Sequence, residues 1–426
     1  MKKTILSVLS SILRWISRAT ISKYHPKIIG VTGSVGKSSA KEAIYAVLKD
    51  SMKVRASRGN FNNELGFPLA ILGDYDHLGG GLFWIDVVCR GLWNLLFGRD
   101  YPEVLILEYG ADKPGDIGYL TSIAKPDIAV IASISKTPVH LEYYKNPEAV
   151  AREKGRLVEA SPKTGAVILN ADDELVIRMV EKAKGKTLTY GFDGADVRIV
   201  GFLNVSDEGR PVGISFKLET LGKLLPIRID GCFGRAQAYA SAAALAVAEV
   251  MGVNLLRAAE KLSEYRPLPG RTRLIKGIVG SWIIDDTYNA SPLAMTEVLK
   301  ALKELTARRK IAILGDMKEL GGLSDYAHIE AGKLTALSAD VLLAVGEKGK
   351  IIARAALDAG MSKDSVRHFD DSDSAKIFAK DIVMEGDLIL IKGSQSMRME
   401  KVTAALMAEP DRAGELLVRQ YGKWLK

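Results

Sequence analysis

A short apolar strand, a glycine-bearing loop and a helical pattern follow one another between residues 28 and 48, and no other stretch of this chain limits its fold as much. The loop reads GVTGSVGKSSAKE from Gly30 to Glu42, with helical spacing continuing from Ala40 to Leu48. Gly33 and Gly36 allow the backbone to turn N–H groups inward around phosphates. Lys37 can neutralise the outer phosphates, and the Ser38 hydroxyl can ligate Mg²⁺. The helix that follows adds the positive end of its dipole. A strict loop of this kind has glycine at position 31, where Val31 stands, and Gly30 lies one place earlier. The strand–loop–helix context nevertheless points to ATP or GTP rather than an accidental turn. The expected nucleotide-binding run is Gly33, Ser34, Val35, Gly36, Lys37, Ser38 and Ser39.

Such a loop opens an α/β unit, and the rest of the chain repeats that grammar. Apolar runs at 103–108, 127–132 and 166–169 read as buried strands separated by helical patterns, which implies a mostly parallel sheet. Residues 196–230 alternate with turn signals and read as a small antiparallel sheet, followed by an alanine-rich helix over 236–251. Pro267-Leu268-Pro269-Gly270 breaks both periodicities and marks a boundary. Beyond it, short strands at 282–285, 310–314, 341–345 and 388–391 predict a second, Rossmann-like α/β domain. The expected divisions are 1–27 as an N-terminal amphipathic helix, 28–268 as a central ATP-binding domain and 269–426 as a C-terminal domain.

Bulk composition narrows the function classes. A chain of 426 residues exceeds what one core usually serves. The formal charge of +8 suits an anionic substrate or surface. Its basic residues are scattered, which argues against nucleic acid. Cys89 and Cys232 stand far apart without a CxxC pattern, so no zinc site or disulfide scaffold is expected, and a cytoplasmic enzyme fits. The N-terminus imitates a signal peptide, yet Arg14 and Arg18 interrupt it and no run reaches spanning length. Ile5, Leu9, Ile12 and Ile16 share one helical stripe, flanked by Leu6 and Leu13. Two readings stay open for residues 1–27: a helix docked on its own domain, and peripheral attachment to an anionic membrane. Residues 81–97 (GLFWIDVVCRGLWNLLF) read as a buried or groove-covering helix, with a membrane or partner surface as the alternative.

Chemistry beside the phosphates needs groups at strand ends. Glu108 ends the run EVLILE, where ligands collect in open α/β sheets. His140 follows the next strand and loop, and Lys154 lies on a helical pattern. A carboxylate and a histidine there are reasonable Mg²⁺ contacts and equally ordinary solvated loop residues.

Taken together, several stretches resemble the Mur ligase family. They are GVTGSVGKSSAKE, RGNFNNELGFP (58–68), LEYGADKPGDI (107–117), VHLEYYKNPEAVAREKG (139–155), LNADDE (169–174), PGRTR (269–273), IIDDTYNASP (283–292), ILGDMKELG (313–321) and IKGSQSMRME (391–400). Their order is more specific than any one of them. RGNFNNELGFP, DDTYNASP and KGSQSMRME are similar to the branch that adds D-alanyl-D-alanine to a UDP-muramyl tripeptide, rather than to the folylpolyglutamate synthetases.

The resemblance implies an ATP-dependent, ADP-forming ligase of peptidoglycan synthesis, in which a substrate carboxylate becomes an acyl phosphate and an amine displaces phosphate. It implies that Lys37 contacts ATP, that Ser38 and Glu108 hold one Mg²⁺, that His140 helps hold a second, and that Lys154 is carbamylated near it. Asn170 matches the adenine reader, and Arg271 and Asp286 match nucleotide contacts of the C-terminal domain. Asn62 and Asn63 match an active-site loop. Asn289, Lys392, Ser394 and Arg398 match positions facing the reacting groups or the dipeptide. A monomer acting on small molecules is the expected form.

Two departures stand against the family pattern. Only residues 1–27 precede the loop strand here, where the family's UDP-gripping domain is expected, and Ala236-Gln237 stand where a His-Asn pair usually opens the long helix. The first favours a pseudomurein-type or other acceptor as an alternative. A non-ligating ATP-binding scaffold is the remaining one.

Overall fold

The computed structural model describes residues 2–57, 61–75, 77–135 and 143–425. In its first half, α1 (Lys2–Tyr24) leads into β1 (Lys27–Thr32), α2 (Lys37–Leu48), β2 (Val54–Ala56), α3 (Gly66–Leu72) and α4 (Gly81–Phe97). Then come β3 (Val104–Glu108), α5 (Asp116–Ile123), β4 (Ile128–Ile131), α6 (Pro147–Ala160), β5 (Ala166–Asn170), α7 (Glu174–Ile177) and β6 (Lys186–Gly191). A meander of β7 (Val197–Asp207), β8 (Arg210–Thr220) and β9 (Lys223–Asp230) precedes α8 (Arg235–Val250) and α9 (Leu255–Glu264).

These strands form one sheet in the order β2-β3-β1-β4-β5-β6-β7-β8-β9. The strands β1, β3, β4 and β5 are near-continuous apolar runs because helices cover both faces of the sheet. The core on one face gathers residues of α2, α8 and α9. On the other face α3, α5 and α6 close the layer. Strand β1 pairs in parallel with both β3 and β4. The chain leaves β1 for one side of the sheet and returns on the other, so a crevice opens beyond the carboxyl ends of these three strands. The antiparallel meander does not stand apart as a separate sheet. A short parallel ladder, Tyr190 to Val197 and Gly191 to Arg198, splices it onto β6.

The second half holds β10 (Arg273–Lys276), β11 (Trp282–Asp286), α10 (Pro292–Glu304), β12 (Arg309–Gly315), α11 (Ser324–Ala336) and β13 (Val341–Val345). It continues through α12 (Gly349–Asp358), β14 (Val366–Phe369), α13 (Ser372–Ile382), β15 (Asp387–Lys392) and α14 (Glu400–Leu406). Its sheet order is β10-β11-β15-β12-β13-β14, with only β10 antiparallel. Gly270 makes the passage between halves at φ 69°. A Cβ there would lie 2.7 Å from the Tyr288 nitrogen, and the glycine N–H donates to the buried Asp285 carboxylate at 3.0 Å. Phe233, just before α8, is buried within the core of the second half.

At the N-terminus, α1 lies on α3 and α4 around a small core of Leu13, Ile16, Phe61, Leu69, Leu72 and Val87. The buried side of α1 is therefore rotated from the expected stripe, since Ile12 is exposed. The expectation of a buried α4 is corrected. Only Val87 and Gly91 of this helix are buried. Apart from an exposed Asp86–Arg90 ion pair at 2.7 Å, the helix is largely apolar around its circumference, and α1 with α3 can cover only one side. Among the described residues no helix is long and apolar enough to cross a membrane.

Candidate active site

The loop after β1 has the geometry of a phosphate cradle. Gly33 (φ 152°) and Gly36 (φ 89°) adopt conformations that side-chain-bearing residues rarely take. A Cβ on Gly33 would also sit 2.8 Å from that of Ala132. The Ser34 and Val35 amides donate to the Ser133 carbonyl at 2.7 and 3.1 Å, which ties the loop to the end of β4. Lys37 begins α2 and folds back to donate to the Gly33 carbonyl at 3.0 Å. Burial and the nearby Arg271 hold its ammonium below the ordinary lysine range, against the pull of Glu108 and Asp112.

Beside the cradle, Ser38 donates to one Glu108 oxygen at 2.9 Å and Asn62 donates to the other at 3.1 Å. Burial alone would raise the Glu108 pKa. Lys37, Lys41 and these two hydrogen bonds outweigh it and keep the carboxylate ionised. A buried hydroxyl and carboxylate at the carboxyl ends of adjacent strands are hard oxygen donors, a fit for Mg²⁺.

Lys154 projects from α6, whose start is fixed by Pro147 and by an Asn146 side chain that accepts from the Ala149 amide. Glu153 accepts from the Ile117 amide at 3.0 Å and pins the helix to α5. Lys154 is 3% exposed. Burial, reinforced by Lys37, pushes its pKa down to about 7 despite Asp112, Glu108 and Glu153. Near neutral pH much of this amine carries no charge. His140, the other expected metal residue, lies outside the described residues. Among those described, no group of three or more His, Cys, Asp or Glu residues is placed to hold a metal.

A cleft of about 770 Å³ opens from the cradle toward the second half of the chain. Ser34, Val35, Gly36, Ser39 and Asn170 line it from the first half, and Arg271, Asp286, Asn289 and Lys392 from the second. The volume is that of a small-ligand site between two domains. Asn170 is held by a hydrogen bond from its Nδ2 to Ser133 Oγ at 3.0 Å. Lys392 bridges the Asp286 carboxylate at 2.6 Å and the Asn289 carbonyl at 2.9 Å. The Arg271 guanidinium lies 3.9 Å from the centre of the Tyr288 ring. Among the described residues its buried Nε has no hydrogen-bond partner, so a cation with donor capacity to spare borders the cleft.

Other expected residues lie differently. Asn63 accepts from the Leu65 and Gly66 amides and so shapes the turn into α3. Ser394 accepts from the Lys318 amide at 2.9 Å. Arg398 pairs with Glu400 at 2.6 Å and lies over the Trp424 ring. Ser394 and Arg398 thus make their bonds within the second half of the chain.

Sequence reasoning missed two groups, Asp112 and Lys41, and noted Gln237 only as a departure. Asp112 acts on both Lys37 and Lys154, and its only signal is its place in the loop after β3. Lys41, one helical turn beyond Lys37, is buried against Ser57 and supports the Glu108 charge. Gln237 donates to the Arg271 carbonyl at 3.3 Å and accepts from Tyr265 at 3.3 Å. It therefore braces the interdomain passage from the position where the family usually carries asparagine.

Residues 93–248 match the Mur ligase middle domain, and residues 270–395 match the Mur ligase, glutamate ligase domain. The chain is 30% identical over 397 residues to the UDP-N-acetylmuramoyl-tripeptide–D-alanyl-D-alanine ligase of Synechocystis sp., covering 93% of this chain and 76% of that protein. It is 29% identical over 400 residues to the enzyme of the same name from Bacillus subtilis, covering 93% and 79%. In structure it is similar to the MurF ligase of Thermotoga maritima crystallised in complex with ADP. The TM-score is 0.78 at 28% identity, covering 95% of this chain and 84% of that one.

Proposed function

Because the chain belongs to the Mur ligase family of ATP-dependent ligases, we propose that it joins D-alanyl-D-alanine to a UDP-muramyl tripeptide in peptidoglycan precursor synthesis. The observation that carries this reading is the convergence of Lys37, Ser38, Glu108 and Lys154 at one sheet switch point, beside a cleft shared by both halves of the chain. ATP supplies the phosphoryl group, and Mg²⁺ would offset the charge between it and the attacking carboxylate.

The residues of this chain then have defined tasks. Lys37 neutralises phosphate oxygens and aligns them with the acceptor carboxylate. Ser38 and Glu108 would hold Mg²⁺, and Asn62 fixes the orientation of Glu108. Asn170 borders the position proposed for the base. Arg271, with its unmet Nε, faces the nucleotide from the second half, and Lys392 keeps Asp286 and Asn289 in register at the cleft wall. Amide formation follows when the dipeptide amine attacks the acyl phosphate and phosphate leaves. A closed cleft protects that acyl phosphate from water.

Carbamylation of Lys154 belongs to this reading. Only a neutral amine adds CO₂, and burial favours the neutral form. The product is an anion suited to a second Mg²⁺ together with His140. A monomeric state also belongs to it, and peripheral membrane contact of residues 1–27 is compatible with it without being required by it.

The test is phosphate release from ATP and Mg²⁺ in the presence of UDP-muramyl tripeptide, with and without D-alanyl-D-alanine. Dipeptide-dependent release is expected. Release that needs a different acceptor would overturn the substrate assignment, and no release with any acceptor would overturn the ligase reading.

A further inference from the structure

Helix α4 presents a second apolar face that none of the described residues covers. Val87 and Gly91 point inward, and Gly91 lets α1 approach so closely that a Cβ there would stand 3.1 Å from Ile16. On the outer side, Leu82 (84% exposed), Ile85, Trp93 (65% exposed), Leu96 and Phe97 follow helical spacing along the whole element. Val8, Ile12 and Trp15 (60% exposed) of α1 are also exposed and share a groove with Leu92 of α4. Large apolar side chains are thus exposed on two adjacent helices, with the mutually neutralising Asp86–Arg90 pair among those of α4, and soluble surfaces rarely leave so many bare.

The charge around this patch identifies its occupant. Residues 1–27 contain six lysines and arginines and neither aspartate nor glutamate. Arg14 and Arg18 line a groove with Trp15 on α1, and Arg18 and Lys27 are exposed. A basic rim beside exposed tryptophans and aliphatic side chains matches the interfacial zone of an anionic bilayer. A second copy of the chain fits poorly, since two-fold pairing would set this acid-free segment against itself. Neither helix is both long and apolar enough to span a bilayer.

We propose that α1 and α4 together form a membrane-docking face that lies in the plane of an anionic lipid surface, with α4 supplying most of the inserted apolar area. The face is mechanically joined to the active site. Phe61 packs in the core between these helices, and the next residue, Asn62, donates to Glu108. A bilayer that holds α1 and α4 therefore also holds the loop that orients the candidate metal carboxylate. The proposal stands independently of the ligase reading, because lipid binding needs no turnover.

Co-sedimentation of the full-length protein with vesicles tests it. The vesicles are phosphatidylcholine alone and phosphatidylcholine mixed with phosphatidylglycerol. Binding to the anionic vesicles is expected, with a drop of about tenfold or more in partition for Trp93→Glu/Leu96→Glu and weakening by salt. The milder Leu82→Ser/Phe97→Ser pair, with an unchanged melting temperature, guards against misfolding and is expected to weaken binding in the same direction. Absence of wild-type protein from both vesicle pellets would overturn the proposal. So would binding indifferent to both pairs of substitutions, or concentration-dependent dimerisation that either pair abolishes.

Discussion

Lys154 shows how the environment of a residue sets its chemistry. The side chain is ordinary in the sequence, yet burial moves its pKa to about 7, and Lys37 adds to the shift. Because the folded state disfavours the cation, the penalty is complete below about pH 7. It fades as the pH rises toward the ordinary lysine value of 10.5. Replacing Lys154 with methionine is therefore expected to raise the urea midpoint in CO₂-free buffer more at pH 6.5 than at pH 9.5, as equilibrium unfolding at the two pH values would show. A Lys154→Ala enzyme is expected to lose turnover and recover part of it with short-chain carboxylates. Failure of any such rescue in a phosphate-release assay counts against the carbamate. Lys37→Ala is expected to cost about 10² to 10³ in kcat while leaving the circular dichroism spectrum unchanged, since the lysine's hydrogen bond is to the Gly33 carbonyl of its own loop.

At the scale of elements, the phosphate loop and the N-terminal helices differ in how much local sequence decides. Gly33 and Gly36 fix the loop through backbone conformation alone, so the strand, cradle and helix were legible residue by residue. Gly33→Ala is expected to destabilise the protein by about 1–3 kcal/mol and to abolish nucleotide binding, measured by thermal shift with and without ADP. The amphipathic stripe of α1 was legible as a pattern, but its rotation was not. Local periodicity cannot say which of two apolar flanks meets α4, and the tertiary contact selected Leu13 and Ile16. Phe61→Ala is expected to cost about 3–5 kcal/mol and to lower kcat through the freed Asn62. Chemical denaturation and steady-state kinetics on the same preparation would separate the two effects.

For the whole molecule, the coupling between halves is physical rather than a flexible tether. Phe233 is buried in the second core, the Asn204 side chain donates to Glu304 at 2.7 Å, and Gln237 bonds to the Arg271 carbonyl. Phe233→Ala is expected to split a single calorimetric unfolding transition into two, because it removes a large apolar anchor between cores that could otherwise melt separately. The sequence alone determined the alternation of strand and helix, the nucleotide loop, the glycine passage at residue 270 and the family. These are set by local backbone preferences and by motifs whose spacing survives without knowledge of distant contacts. Only the tertiary structure decided that the antiparallel meander joins the main sheet through Tyr190 and Gly191, and that Asp112 and Lys41 tune the buried charges. It also decided that Ser394 bonds to the Lys318 amide and Arg398 pairs with Glu400, and that the outer face of α4 is left exposed. Each of these depends on which remote groups share a low-dielectric space or compete to cover the same surface, and burial of that kind exists only once the chain has folded.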